Sequence, residues 1–192
     1  MKHDTTETLV NISRSGDEYT YKVSGSVSFG NGLTTVTGSF SNRDVATIHN
    51  HPIGSIPIFS YVDIVNYYDN YNFVTESRKN EYTDYLVCFN GTTYALRMEN
   101  VTALNTLFAG LDLNTAQGRK DANDKILKIQ ESFNLNTNQI YDQAMAEELF
   151  MNVINDEKLG GGTSINLYRK DADGWGKLVK NGNIISKEPC PQ

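Results

Sequence analysis

The sequence lacks a surplus of basic residues. It has 17 lysines and arginines against 23 aspartates and glutamates, which gives a formal net charge of −6 over 192 residues. A broad surface for nucleic-acid phosphates requires a basic surplus. We therefore expect no nucleic-acid partner, and a metal-assisted nuclease is disfavoured on the same ground.

Long apolar runs and cysteines are also scarce. No run of about 18 apolar residues occurs, so we expect no membrane span. No apolar stretch follows residues 1–4, so we expect a soluble chain without a secretory signal. The compartment stays open, and the mature part of an exported protein is one alternative. Two cysteines cannot form a disulfide framework, and a single bond between Cys88 and Cys190 is left open.

The first half of the sequence is typical of β structure. Polar and apolar residues alternate at 19–23, and the apolar run 45–48 leads directly into a segment that ends at Pro52. Proline cannot donate to a sheet, so the strand is predicted to end there. Strand segments are also predicted at 9–12 and 33–40.

A hairpin and several helices follow. Residues 83–97 contain two short strands around Asn90-Gly91, a pair that favours a type I′ turn. A helix is predicted from position 60, and apolar stripes predict further helices at 101–109, 118–133 and 137–157, followed by a final β segment from 164. The order predicts an α+β fold. We divide it into a core at 1–99 and a helical and β-hairpin extension at 100–192, and leave open whether the two pack as one domain.

The segment His49-Asn50-His51-Pro52 is the most informative part of the sequence. Side chains two residues apart on a strand point to the same face, so His49 and His51 can present their imidazoles side by side while Asn50 points away. Asp63, in the first turn of the following helix, can add a carboxylate oxygen. Two histidines and one carboxylate leave one tetrahedral position for water, as in catalytic zinc sites. The pattern predicts one Zn²⁺ ion that activates a bound water.

These residues resemble a known family. A His-x-His-Pro segment, a short loop and Ser60-x-x-Asp63 form the signature of the JAMM/MPN+ (JAB-type) zinc metallopeptidases, and the likeness to prokaryotic JAB domains covers roughly residues 7–98. The loop between His51 and Ser60 is one residue longer than is usual in the family. The resemblance implies a JAB/MPN-like (cytidine deaminase-like) mixed β-sheet flanked by helices.

The family's residue roles carry over position by position. They imply that His49, His51 and Asp63 bind the zinc ion and that Ser60 stabilises the oxyanion. The expected activity is that of a zinc metallopeptidase or isopeptidase of bacterial type, which cleaves a peptide or isopeptide bond in a protein or peptide substrate.

The family's general acid/base is a glutamate on an early strand, upstream of the histidines. Glu7, directly before the strand at 9–12, is the best match, and Glu18 in the next strand is the second choice.

Other interpretations stay open. Ser-x-x-Asp is also a helix-capping arrangement in its own right, with Ser60 as the N-cap and Asp63 near the positive end of the helix dipole. A non-catalytic JAB-like module that binds a protein partner, with or without the metal, is the main alternative to an enzyme. The substrate, the oligomeric state and the role of residues 100–192 stay open.

Overall fold

The computed structural model describes residues 6–24, 26–28, 34–36, 40–133 and 142–190. The strands are β1 (Leu9–Ser15), β2 (Glu18–Ser24), β3 (Ser26–Ser28), β4 (Thr34–Val36), β5 (Asp44–His51), β6 (Thr83–Cys88), β7 (Thr93–Met98), β8 (Ile165–Asp171), β9 (Gly174–Asn181) and β10 (Ile184–Pro189). The helices are α1 (Tyr61–Phe73), α2 (Thr102–Leu107), α3 (Ala116–Glu131) and α4 (Gln143–Ile154), and two 3-10 turns lie at Glu76–Arg78 and Glu157–Leu159. Parts of the predicted strand at 33–40 and of the predicted helix at 137–157 lie outside the described residues.

The fold is α+β, as predicted, and it is built on a mixed eight-stranded sheet. The strand order is β10-β9-β8-β7-β6-β5-β1-β2, while β3 and β4 form a separate two-stranded ladder. Among the described strands, β5 and β6 are the parallel pair, and their connection contains α1. A parallel pair needs such a crossover because both strands run in the same direction. The sheet continues from β7 into β8, across the predicted boundary at position 99.

The sheet register decides which residues share the buried face. His49 lies opposite Leu86, and His51 lies opposite Cys88, in the parallel β5–β6 ladder. Leu9 of β1 lies opposite His49 on the other side. Because residues that lie opposite each other point to the same face, both histidines point to the face that carries Leu86, which is fully buried.

Helices α1, α3 and α4 supply the other half of the hydrophobic core, and α3 contacts both α1 and α4. Tyr67 of α1 is fully buried and stacks on Tyr82 with ring centroids 5.5 Å apart. Its hydroxyl accepts the backbone N–H of Met98 at 2.6 Å, which joins α1 to β7. The buried ring and its hydrogen-bonded hydroxyl fix α1 on the sheet. This packing also fixes the position of the first turn of α1.

The predicted type I′ turn at Asn90-Gly91 is wrong. The Gly91 N–H donates to the Cys88 carbonyl at 2.9 Å, so Phe89 and Asn90 are the central residues of the β-turn. Gly91 follows that turn with φ of 89°, and the Asn90 side chain accepts the Thr92 N–H at 3.0 Å. A longer hairpin loop with glycine in the left-handed position after the turn replaces the two-residue connection, because the asparagine side chain supplies a local acceptor.

Both cysteines are unpaired, which answers the question that the sequence left open. Cys88 is fully buried, and burial raises the pKa of its thiol to about 12. A thiol with so high a pKa is almost entirely protonated at neutral pH and is a poor nucleophile.

Across the ranges that the structure describes, none of the helices combines the length and the apolar character needed to cross a membrane.

A buried carboxylate fastens α4 to the sheet. Glu147 of α4 is 5% exposed, and its carboxylate accepts hydrogen bonds from Tyr94 of β7 at 2.6 Å and from Arg169 of β8 at 2.9 Å. A carboxylate in an apolar interior is tolerated only when its charge is compensated. Arg169 supplies that charge.

Replacing Arg169 with methionine should therefore destabilise the protein. The Arg169→Met variant leaves the Glu147 charge buried and uncompensated, and the free energy of unfolding should fall by about 2 kcal/mol, a value reduced for the partial exposure of the guanidinium. Urea unfolding measures the change. Lys120→Met, which removes an exposed pair with Asp124 on α3, is the control and should leave the stability close to that of the unmodified protein. Equal effects of the two substitutions would contradict the role given to Arg169.

Candidate metal centre

Three elements meet at the candidate site. Strand β5 ends at His51, as predicted from Pro52, so both histidines lie at its carboxyl end. Helix α1 begins after Ser60, whose backbone and side chain form a capping box with Asp63. Glu7 lies two residues before the start of β1, the strand that pairs with β5. The end of β5, the start of α1 and the segment before β1 therefore meet at the candidate site.

The two imidazoles lie side by side. The ring centroids of His49 and His51 are 5.3 Å apart, and the two residues are 5% and 8% exposed. This arrangement follows from the two-residue periodicity of the strand. The sequence-based prediction that both rings share one face therefore agrees with the register and the ring contact.

Asp63 lies between the two rings. Its Oδ1 is 3.5 Å from Nε2 of His49, and its Oδ2 is 3.5 Å from Nε2 of His51. Oδ2 also accepts hydrogen bonds from the backbone N–H of Ser60 at 2.6 Å and from its hydroxyl at 2.8 Å. These bonds fix the orientation of the carboxylate, and Oδ1 is the oxygen turned toward His49. The longer loop between His51 and Ser60 does not prevent the Asp63 carboxylate from contacting both imidazoles.

The other nitrogen of His51 is held by the main chain. Nδ1 lies 2.8 Å from the Ile56 carbonyl oxygen, which can only accept, so the ring donates its Nδ1–H there. In a neutral ring, Nε2 then carries a lone pair that faces Asp63. Two electron-rich atoms attract each other only when a cation, either a proton or a metal ion, lies between them.

His49 has an acidic partner on each side. Its Nδ1 is 3.5 Å from Oδ1 of Asp84 on β6, and the Asp84 oxygen also accepts the hydroxyl of Thr47 at 2.6 Å. Burial by itself lowers the pKa of His49, but the carboxylates of Asp63 and Asp84 outweigh it and raise the pKa to about 9. Within the described chain, Nε2 of His49 is buried without a hydrogen-bond partner. A buried nitrogen of this kind fits a metal ligand.

Among the described residues, the group of potential metal ligands consists of Glu7 and the two histidines, and Asp63 is not a member of it. One carboxylate oxygen of Glu7 and one ring nitrogen each of His49 and His51 all lie within 4.8 Å of one another. Burial raises the pKa of Glu7 above its usual value, against the smaller lowering effect of His49. Glu7, His49 and His51 could therefore hold a metal ion.

The distances fit a tetrahedral ion. Ligand atoms that each lie at about 2.0–2.1 Å from zinc are separated by roughly 3.4 Å when the angle between them is tetrahedral. The distances from Asp63 Oδ1 to Nε2 of His49 and from Oδ2 to Nε2 of His51, each 3.5 Å, are individually close to this separation, although two different oxygens make them. Asp63 and Glu7 are thus both candidates for the carboxylate ligand beside the two histidines.

The remaining predicted residues have distinct places. Ser60 is next to the group. Its hydroxyl oxygen accepts the Asp63 N–H at 3.3 Å and its own N–H donates to Asp63 Oδ2 at 2.6 Å, so the capping interpretation of Ser60 is confirmed. Glu18, the second choice for the base, is exposed at the start of β2. Its place on β2 separates it from the group that includes Glu7.

Sequence reasoning missed the two groups that orient the imidazoles. Asp84 is 4% exposed in a strand that is otherwise mostly apolar, and a charged residue in such a strand was the available signal. The Ile56 carbonyl gave no signal, because a main-chain acceptor is independent of the side chain. Both act on the ring nitrogens that face away from Asp63, as the outer partners of metal-binding histidines do.

A cavity of about 450 Å³ opens beside the group and is lined by Glu7, His49 and Asp63. Its wall also includes Asn70 of α1 and Arg119 of α3. The volume lies in the range of small-molecule sites. The cavity therefore gives access to Glu7, His49 and Asp63.

Comparisons with protein-family models, with curated proteins and with solved structures found no match to this chain.

The pKa of His49 predicts how the stability of the metal-free protein depends on pH. Because the pKa rises from 6.5 to about 9 on folding, the interaction of the imidazolium with Asp63 and Asp84 is fully present below pH 6.5. It is lost as the pH rises through about 9. The free energy of unfolding in the presence of a chelator should therefore fall by a few kcal/mol over this range, as measured by urea unfolding at a series of pH values.

The His49→Gln variant is the control for this measurement. Glutamine does not titrate, so the decline between pH 6.5 and 9 should be largely absent from the variant. The same decline in both proteins would contradict the assignment to His49.

Proposed function

We propose that the chain is a zinc-dependent hydrolase that cleaves a peptide or isopeptide bond. The observation that carries the proposal is the convergence of His49, His51, Asp63 and Glu7 beside a cavity that Glu7, His49 and Asp63 line. The outer nitrogen of each imidazole faces its own oxygen partner. The resemblance of the same residues to the JAB-type signature supports it. Structural zinc sites are usually closed by four side chains, whereas this group leaves room for a substrate.

His49, His51 and Asp63 are the proposed ligands. A zinc ion bound there would supply a Lewis acid that polarises a carbonyl and brings the pKa of water toward neutrality. Asp84 and the Ile56 carbonyl hold the imidazoles with Nε2 turned inward.

Glu7 is the proposed general acid/base. Burial raises its pKa, so it is better able than an exposed glutamate to accept a proton from water and return it to a leaving amine near neutral pH. Its carboxylate borders both the imidazoles and the cavity, which is where the attacking water and the scissile bond would lie.

Ser60 is the proposed oxyanion donor. Its hydroxyl donates to Asp63 Oδ2 at 2.8 Å, so it must turn away from Asp63 to donate to a substrate oxygen. The backbone N–H of Ser60, at 2.6 Å, would then hold Asp63 in place. A donor of this kind contributes about 3–4 kcal/mol in comparable acyl-transfer sites.

The Glu7→Gln variant tests the proposal directly. Glutamine preserves the shape of the side chain but cannot take up a proton, so kcat should fall by about 100-fold to 10,000-fold while one zinc ion per chain stays bound. Metal analysis of the purified protein gives the stoichiometry. The substrate is the fastest-cleaved member of a library of peptides and isopeptide-linked peptides. Glu18→Gln, which alters an exposed glutamate on β2, should leave kcat unchanged.

The results separate the alternatives. Zinc bound by the unmodified protein without cleavage of any library member would support the non-catalytic binding module instead. An unchanged kcat in Glu7→Gln would reject Glu7 as the base.

The Asp63→Asn variant separates the two candidate carboxylate ligands. If Asp63 is the ligand, Asp63→Asn should weaken zinc binding by at least about tenfold, whereas Glu7→Gln should bind zinc nearly as tightly as the unmodified protein. Competition with a coloured chelator measures both affinities. The opposite order would assign the ligand role to Glu7 and contradict its role as base.

A further inference from the structure

Asn50, the residue between the two histidines, contacts the segment that carries Glu7. Asn50 is fully buried, and its Oδ1 accepts the backbone N–H of Thr8 at 2.7 Å. Its Nδ2 donates to the backbone carbonyl of Thr6 at 3.1 Å. The two hydrogen bonds therefore reach the residues on either side of Glu7.

The strand register explains why the side chain is needed there. The last main-chain pairing between β1 and β5 joins Leu9 and His49. Continued by one residue, this antiparallel register places Thr8 opposite Asn50, and continued by two it places Glu7 opposite His51. The Asn50 carboxamide has the donor and acceptor of a peptide group and extends the hydrogen bonding beyond the point where the ladder ends.

We propose that Asn50 is a positioning residue that holds Glu7 toward His49 and His51. The consequence for catalysis rests on the proposed function, whereas the hydrogen bonds themselves do not. A general base must lie within about 3 Å of the proton that it accepts, and a segment fixed on both sides of the glutamate restricts the directions that its side chain can take.

The chemistry of the contact is specific to a carboxamide. Thr8 offers a donor and Thr6 offers an acceptor, so the partner needs one acceptor and one donor in the same planar group. Leucine has nearly the same shape as asparagine but has neither function. Asn50→Leu therefore removes both bonds with little change in volume.

Hydrogen exchange of the zinc-loaded full chain tests the contact. In Asn50→Leu, the Thr8 amide should exchange about tenfold faster than in the unmodified protein, because a hydrogen bond that protects it is lost. One zinc ion per chain should stay bound. With the library substrate, kcat should fall while KM stays the same, since the ligands and the cavity are retained.

Asn166→Leu is the matched control. Asn166 is a 5% exposed asparagine of the same sheet, lies on β8 three strands from β5, and donates to Glu99 at 3.0 Å. Its replacement should leave Thr8 exchange and kcat unchanged. Unchanged Thr8 exchange in Asn50→Leu, or an equal change in both variants, would overturn the proposal.

A measurement on the unmodified protein keeps the proposal testable if Asn50→Leu does not fold. Nuclear magnetic resonance should detect a scalar coupling across the hydrogen bond between the Thr8 amide nitrogen and the Asn50 side-chain carbonyl carbon. Absence of the coupling, with rapid exchange of the Thr8 amide, would overturn the proposal. Failure to find any hydrolysis would affect the proposed function alone and leave these two readouts intact.

Discussion

The buried contact of the Asp63 carboxylate with two imidazoles constrains the whole site. Burial alone raises the pKa of this carboxyl, yet the positive charge of His49 and the hydrogen bonds from His51 and Ser60 hold it well below its usual range. A buried negative charge of this kind is stable only with compensating charge and donors around it. A proton on His49 supplies that charge in the metal-free protein, and a divalent ion would supply it in the loaded protein.

The contact requires three elements to be placed accurately. Pro52 ends β5 directly after the second histidine, and the capping box at Ser60 starts α1 with Asp63 in its first turn. Tyr67, fully buried further along α1, fixes the helix on the sheet. Asp84 on the neighbouring strand orients His49 through a contact with its Nδ1, the ring nitrogen that faces away from Asp63. The site thus depends on the β5–β6 crossover, which contains α1 and places Asp84 beside His49.

Several parts of the fold and the site could be predicted from the sequence because their causes are local. The end of β5 follows from Pro52, the shared face of His49 and His51 follows from strand periodicity, and the start of α1 follows from Ser60. These features need only a few consecutive residues.

Other parts could not be predicted because they depend on contacts between distant segments. Asp84 and Asn50 acquire their partners only when β6 and β1 pair with β5. The continuation of the sheet from β7 into β8 likewise pairs residues that are far apart in sequence. The hairpin turn was mispredicted for a different, local reason, since the Asn90 side chain accepts the Thr92 N–H and favours the longer loop.

X-ray absorption spectroscopy of the zinc-loaded protein tests the central claim most directly. The account predicts one zinc ion with two imidazole nitrogens and at least one oxygen at about 2.0–2.1 Å, and a reduced imidazole contribution in each of the His49→Gln and His51→Gln variants. A protein that binds no zinc at neutral pH, or a spectrum without imidazole scattering, would contradict it.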